Sequence, residues 1–196
     1  MLLVMFMKVE ILRFDDFGRG ICYVNDKVTF VPFSMPGDVL EIEITKGKKN
    51  YNEGKIVKII KPSKNRVAPS CSYFGACGGC AYQMLKYDDS ILEKQNNVIN
   101  YFKKNGLLIK PNIIKNDIPY NYRNKIALKI VNKKIGYFKS SSHDIVEINE
   151  CFLANNKINE VIKLIPSLNI VNGEVIIRCN YKDEVLIIIN TSDKID

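Results

Sequence analysis

Residues 8–61, KVEILRFDDFGRGICYVNDKVTFVPFSMPGDVLEIEITKGKKNYNEGKIVKIIK, decide the fold. Strand-like runs VEILRF, GICYV, KVTFVPF, DVLEIEI and EGKIVKII follow one another, with turn signals between them at Gly18, Asn25-Asp26, Pro36-Gly37 and Gly47. Asn25-Asp26 predicts a tight hairpin, and Pro36-Gly37 a turn in which glycine accepts positive φ. Five short strands in this length predict a small five-stranded barrel. With basic loops, such an OB-like barrel is a recurrent nucleic-acid platform.

Downstream the pattern changes. Residues 62–85 have neither helical nor strand period, and the run PSCSYFGACGGCAYQ (69–83) buries too little by itself to offset its ordering entropy, so it needs a ligand to hold it. Asp88 or Asp89 is placed to cap a helix whose apolar residues Ile91, Leu92, Val98, Ile99 and Phe102 share helical spacing, with Gly106 to end it. After Pro111 and Pro119, KIALKIV, KIGYF and DIVEI read as a meander. A helix near residues 155–165 follows, then a strand pair, EVIIRC and EVLIIIN. The expected fold is β-rich α+β: a barrel over residues 1–62, a cysteine-rich loop and helix over 63–110, and a small α+β domain over 111–196.

The net charge of +8 is uneven: residues 1–150 hold 24 basic and 15 acidic side chains, and residues 151–196 hold 5 and 6. Lys46, Lys48, Lys49, Lys55, Lys58, Lys61, Lys64 and Arg66 crowd residues 46–66 against Glu53 alone, an excess suited to a phosphate backbone. A merely solvated lysine-rich face is the competing account. The apolar opening MLLVMFM is seven residues long, without a basic flank or a small-residue cleavage site. Neither a leader nor a membrane span is expected. Six cysteines without a secretion signal point to thiols in a reducing cytoplasm rather than to a disulfide framework.

Cys71, Cys77 and Cys80 stand as C-x5-C-x2-C, with Gly78 and Gly79 between the last two, in the loop that lacks other glue. Thiolates so spaced can converge on one metal centre, and paired glycines let the backbone turn tightly and aim N–H groups at sulfur. Zinc and an iron–sulfur cluster both accept four cysteines. Structural zinc sites more often use two short knuckles, and here there is one, so the spacing leans to iron–sulfur without excluding zinc. Cys22 and Cys179 sit at strand positions and read as small buried hydrophobes.

The combination of Gly18-Arg19-Gly20, VPFSMPGD, KIIKPSKNRVAPSC, CGGCAYQ, YRNK and SHDIVEINECFL resembles the bacterial RNA uracil-5-methyltransferases that act on ribosomal or transfer RNA, over nearly the whole chain. The resemblance implies that residues 8–62 form a TRAM domain and that Cys71, Cys77, Cys80 and Cys151 ligate a structural [4Fe-4S] cluster. It further implies that the α+β unit helps grip structured RNA, with Arg123 and Lys125 of YRNK beside the cluster. Lys46, Lys48, Lys49, Lys55 and Arg66 are then the expected RNA contacts of the barrel side, on 23S rRNA in particular. Many relatives carry His where this chain has Met84, and Pro where it has Phe152. Neither departure removes a ligand.

The family's chemistry needs a cysteine nucleophile, a carboxylate base and a Rossmann-like domain for S-adenosylmethionine, all expected beyond Asp196. No strand here runs through a Gly-rich turn into a helix, and Cys22 and Cys179 have no neighbouring base, so no residue of the chain is expected to be catalytic. His143, the single histidine, is expected to serve its polar turn. The chain alone is therefore expected to be an inactive, monomeric, RNA-binding part of a methyltransferase. The alternative is a stand-alone metal-stabilised RNA-binding module. A methylthiotransferase-like radical enzyme would need C-x3-C-x2-C and a barrel at the other end, and has neither here.

Overall fold

The computed structural model describes residues 6–140 and 142–194. Most of the apolar opening, residues 1–5, lies outside them. The chain divides into two compact units: one runs up to Pro69 and takes in Ala81–Ile114, and the other joins Ser70–Cys80 to the residues from Lys115 onward. No helix among the described residues is long and apolar enough to cross a membrane.

The first unit is built on a six-stranded sheet: β1 (Phe6–Glu10), β2 (Arg13–Phe14), β3 (Gly20–Val24), β4 (Lys27–Val31), β5 (Val39–Gly47) and β6 (Tyr51–Lys61), in the order β1-β5-β6-β4-β3-β2. The run VEILRF, read as one strand, is two. β1 pairs with β5 and β2 with β3, so the two edges of the sheet are consecutive in the chain and the sheet curls into a partial barrel. The switch occurs at Ile11, whose N–H donates to the Asp38 carbonyl, and Leu12, whose N–H donates to the Ile21 carbonyl on the other side. Asn25 and Asp26 both take positive φ (48° and 62°), the geometry of a two-residue hairpin turn, and Gly37 stands at φ 85°.

Alternation buries Val9, Ile11, Cys22, Val24, Val31, Leu40 and Ile42 inside the curl. Truncating a fully buried member such as Leu40 to Ala costs about 2–5 kcal/mol. β4 and β6 run parallel, and the one buried polar pair between them, Asn52 Nδ2 donating to Thr29 Oγ1 at 3.3 Å, fixes their register. Helix α1 (Tyr87–Lys104) has Asp88 and Asp89 in its first turn, where they favour the helix dipole, while Lys86 occupies the cap position. It closes in a Schellman arrangement: Gly106 N–H donates to the Lys103 carbonyl and Leu107 N–H to the Phe102 carbonyl.

The second unit is an antiparallel sheet of β7 (Lys125–Val131), β8 (Lys134–Phe138), β9 (Ile145–Glu147), β10 (Gly173–Cys179) and β11 (Val185–Asn190), in the order β11-β10-β7-β8-β9. One face is covered by α2 (Asn156–Ile162) and a 3-10 turn at Ile165–Leu168. Ile158, Val161, Ile162 and Ile165 meet Ile126, Leu128, Ile130, Val175 and Ile177 there. Asn155 caps α2 by accepting the Lys157 N–H at 2.7 Å.

Candidate metal centre and nucleic-acid interface

The segment Ser70–Cys80 folds as consecutive turns within the second unit. Tyr73 accepts at its carbonyl from the N–H groups of Ala76 and Cys77. Its hydroxyl donates to Asn149 Oδ1 at 2.8 Å and accepts the Asn149 N–H at 3.2 Å, which ties this loop to the segment carrying Cys151. On the other side Gly78 N–H donates to the Phe138 carbonyl at 3.2 Å. Gly78 is there for closeness rather than for an unusual φ: a Cβ would stand 3.3 Å from the Phe138 carbonyl oxygen and from the backbone of Ser140. Cys151 is clamped from α2, because Asn159 accepts the Cys151 N–H at 2.8 Å and donates to the Cys151 carbonyl at 3.2 Å.

Cys71, Cys77, Cys80 and Cys151 are all free and half-buried. Burial pushes the Cys71 and Cys77 thiols up most. Beyond that, Cys80 and Cys151 act electrostatically on both, and Cys71 on Cys77, so all four sulfurs lie within charge reach. Gly79 N–H donates to Cys77 Sγ at 3.4 Å, which favours the thiolate there. Among the described residues no three His, Cys, Asp or Glu side chains stand at the spacing of a single bound ion. Tyr137 adds a second feature. Its hydroxyl is buried with no nitrogen or oxygen partner among the described residues, and burial, followed by the charge of Cys151 and a contact with its thiol, raises its pKa strongly.

The remaining thiols are set apart. Cys22 is 2% exposed, and burial pushes it up to about 11. Cys179 is 4% exposed and is pushed up by burial and by the Asp183 carboxylate. A raised thiol pKa makes a poor nucleophile at neutral pH. His143 packs its ring edge-on against Phe138, centroids 5.2 Å apart, as a turn residue.

Lys46, Lys48 and Lys49 are exposed at the β5–β6 hairpin. Lys55 pairs with Glu43 at 2.8 Å on the same ribbon. Arg66, expected among the RNA contacts, turns inward: its Nη2 donates to Asp38 Oδ2 at 2.8 Å and to the Phe33 carbonyl at 2.7 Å, leaving the side chain 12% exposed. In the second unit Arg123 is held by backbone bonds to Leu153 and Asn155, and its charge acts on Tyr137. Lys125 is exposed directly opposite Arg178 on β10.

Residues 6–57 match the TRAM domain family. The chain is 35% identical over 177 residues to the 23S rRNA (uracil(1939)-C(5))-methyltransferase RlmD of Francisella tularensis subsp. novicida, across 83% of this chain and 39% of that enzyme. It is 34% identical over 167 residues to an uncharacterized RNA methyltransferase of Clostridium acetobutylicum, across 81% of this chain and 36% of that protein. The chain is a relative of the RNA uracil-C5 methyltransferases. It spans under two-fifths of the length of these curated relatives. The fold recurs in the Pyrococcus abyssi tRNA (uracil-54, C5)-methyltransferase solved in complex with S-adenosyl-L-homocysteine. The TM-score is 0.71 at 23% identity, over 96% of this chain and 47% of that one.

The TRAM match contains Lys46, Lys48, Lys49 and Lys55 but ends before Arg66. Both departures from the usual family residues have local reasons. Met84 is fully buried, with its carbonyl accepting the Val67 N–H, and Phe152 packs edge-on against Tyr120 with centroids 5.9 Å apart. Tyr137, Asn159 and Arg178 escaped the reading of the sequence. Tyr137 lay in a strand-like run, Asn159 in a helical one, and the neighbourhood of Arg178 depends on a register that a single strand does not encode.

Proposed function

We propose that the chain is the RNA-gripping, iron–sulfur, N-terminal part of an S-adenosylmethionine-dependent RNA uracil-C5 methyltransferase acting on 23S rRNA. The observation that carries the reading is the 35% identity across 83% of the chain to an enzyme named for that reaction. In this reading the nucleophile, the base and the S-adenosylmethionine site belong to the part of the relatives that this chain does not span. The barrel hairpin with Lys46, Lys48 and Lys49, together with Arg123, Lys125 and Arg178 of the second unit, meets RNA phosphates. Two like charges directly opposite on neighbouring strands are unfavourable unless an anion lies over them, which supports Lys125 and Arg178 as such a pair. Arg66 serves the barrel instead.

Cys71, Cys77, Cys80 and Cys151 would hold a [4Fe-4S] cluster. Three features support the fit: charge reach among the sulfurs, the Gly79 N–H on Cys77, and the buried Tyr137 hydroxyl set against Cys151. When bound, the group acts as a cross-link between the 70–80 loop and the Cys151 segment rather than as a redox agent. The chain's own residues position it. Tyr73 locks the two segments together, Asn159 fixes the Cys151 backbone, and Gly78 allows close approach to Phe138.

Anaerobically purified protein should be brown, with about four irons and four sulfides per chain as a four-cysteine cubane requires. RNA affinity should fall with salt on a log–log slope of roughly −2 to −4, from a few lysine–phosphate contacts. No methyl should pass from S-adenosylmethionine to RNA. Stoichiometric zinc, or full iron content in Cys77→Ser, would remove the cluster assignment. Salt-insensitive affinity would remove the RNA reading.

A further inference from the structure

The TRAM barrel carries a continuous row of rings and charge on its outer face that its own packing does not use. The turn 15–19 is rigid: Asp15, 8% exposed, accepts the N–H groups of Phe17 and Arg19 at 2.9 and 2.8 Å and the Arg19 Nε at 2.6 Å. This sets the Arg19 guanidinium over the Phe30 ring, its central carbon 4.2 Å from the centroid and 5.6 Å from that of Phe17. Phe30 in turn meets Tyr51 edge-on, centroids 5.7 Å apart. Tyr23 lies on the same face, opposite Val28, which is itself opposite Tyr51. Phe17 is 76% exposed and Tyr23 53%.

A lone exposed phenylalanine is ordinary. Here the exposed ring stands beside a guanidinium that the Asp15 turn holds over a second ring. An exposed ring next to a fixed guanidinium offers a surface on which a nucleobase can stack, and aromatic faces do so without sequence preference. The surroundings fit a polyanion: Lys27 Nζ donates to the Lys48 carbonyl at 3.4 Å, so Lys27 stands at the lysine hairpin that leads into Tyr51. Glu53, the acidic residue beside Phe30, is the strand partner of Lys46.

We propose that Phe17, Arg19, Phe30 and Tyr51 form a platform that stacks an unpaired nucleobase of RNA, with Lys27, Lys48 and Lys49 placed for the flanking phosphates. The proposal rests on the RNA-binding reading above and adds a single-stranded element to it. The unpaired base is selected by stacking, and the hairpin lysines supply the salt-dependent part of the affinity.

The test compares the full chain and its variants on a labelled uridine-rich single strand of about twelve nucleotides, within the span of one OB-like barrel, and on an RNA duplex of equal length. Phe17→Ala should weaken single-strand binding about 5- to 50-fold with an unchanged salt slope and leave duplex affinity within about twofold, while Phe17→Trp should bind like the parent. Phe17 is mostly solvated, so its removal leaves the barrel folded. Tyr51→Ala should act in the same direction. If both alanine variants bind the single strand with parental affinity, or lose strand and duplex alike, the platform is wrong and the RNA reading stands on its lysines. If the parent binds neither RNA, the RNA reading fails and the platform falls with it.

Discussion

Asp38 ties three segments of the barrel unit together. Fully buried, it accepts the N–H groups of Met35 and Ser63, each at 2.9 Å, and takes the Arg66 fork on both oxygens. Asp38→Ala strands the guanidinium without its anion, and breaking a buried pair of this kind costs about 3–5 kcal/mol. Urea unfolding followed by far-UV circular dichroism should show that loss in the first unit. A basic run in the sequence marks charge but not direction, which is why Arg66 was legible as a cation and illegible as a barrel residue. Tyr137 is the reverse case, invisible in the strand-like run KIGYF and conspicuous once folded. Tyr137→Phe removes a buried hydroxyl that has no nitrogen or oxygen partner and only the weakly accepting Cys151 thiol beside it, so the iron-free protein should gain up to about 1 kcal/mol. In the iron-loaded protein the same change should give no gain, because a donor to sulfur goes with it. Melting temperatures of both forms separate the cases, and an equal gain in each would mean that the hydroxyl does not face the cluster.

Among the elements, most strands lie where turn chemistry predicts them. Positive φ at Asn25, Asp26 and Gly37 follows from residue types that tolerate it, and period-two alternation supplies the rest. What alternation lacks is the identity of a strand's partner. VEILRF keeps its pattern through Ile11 and Leu12 while its hydrogen bonds pass from β5 to β3, which turns the expected five-stranded barrel into a six-stranded curled sheet. β11 poses another problem. It lies at one end of its sheet, and Leu186, Ile187 and Ile188 are 56%, 42% and 44% exposed, apolar on both faces of an edge strand. Such an edge is a template for pairing with another chain. Ile188→Lys should reduce concentration-dependent self-association, read by static light scattering, with little change in the unfolding midpoint. If β11 were innocuous, parent and variant would scatter alike.

At the scale of the whole molecule, the chain leaves the first unit at Pro69, supplies Ser70–Cys80 to the second, returns for Ala81–Ile114, and crosses again at Lys115. The cysteine spacing is legible in sequence because three of the candidate ligands sit in one loop. The interleaving is not, since it depends on where Tyr73 and Gly78 find partners, at Asn149 and Phe138, far along the chain. All four candidate ligands fall in the second unit, while the core of the first contains Cys22 alone among the thiols. If the proposed cluster is bound there, the two cores are expected to respond differently to its loss. Without the cross-link, the 70–80 loop rests on weak contacts such as Tyr73–Asn149, Gly78–Phe138 and Tyr120–Ser70, and each such bond contributes about 1 kcal/mol net. Chelation of iron, or Cys151→Ser, should therefore lower amide protection at Cys77, Gly78 and Asn149 and along β8, while β3, β4 and β5 keep theirs. Hydrogen exchange read by mass spectrometry on both forms makes the comparison within one chain. Protection lost equally in both sheets would mean that the four cysteines hold the fold by some route other than the loop they pin.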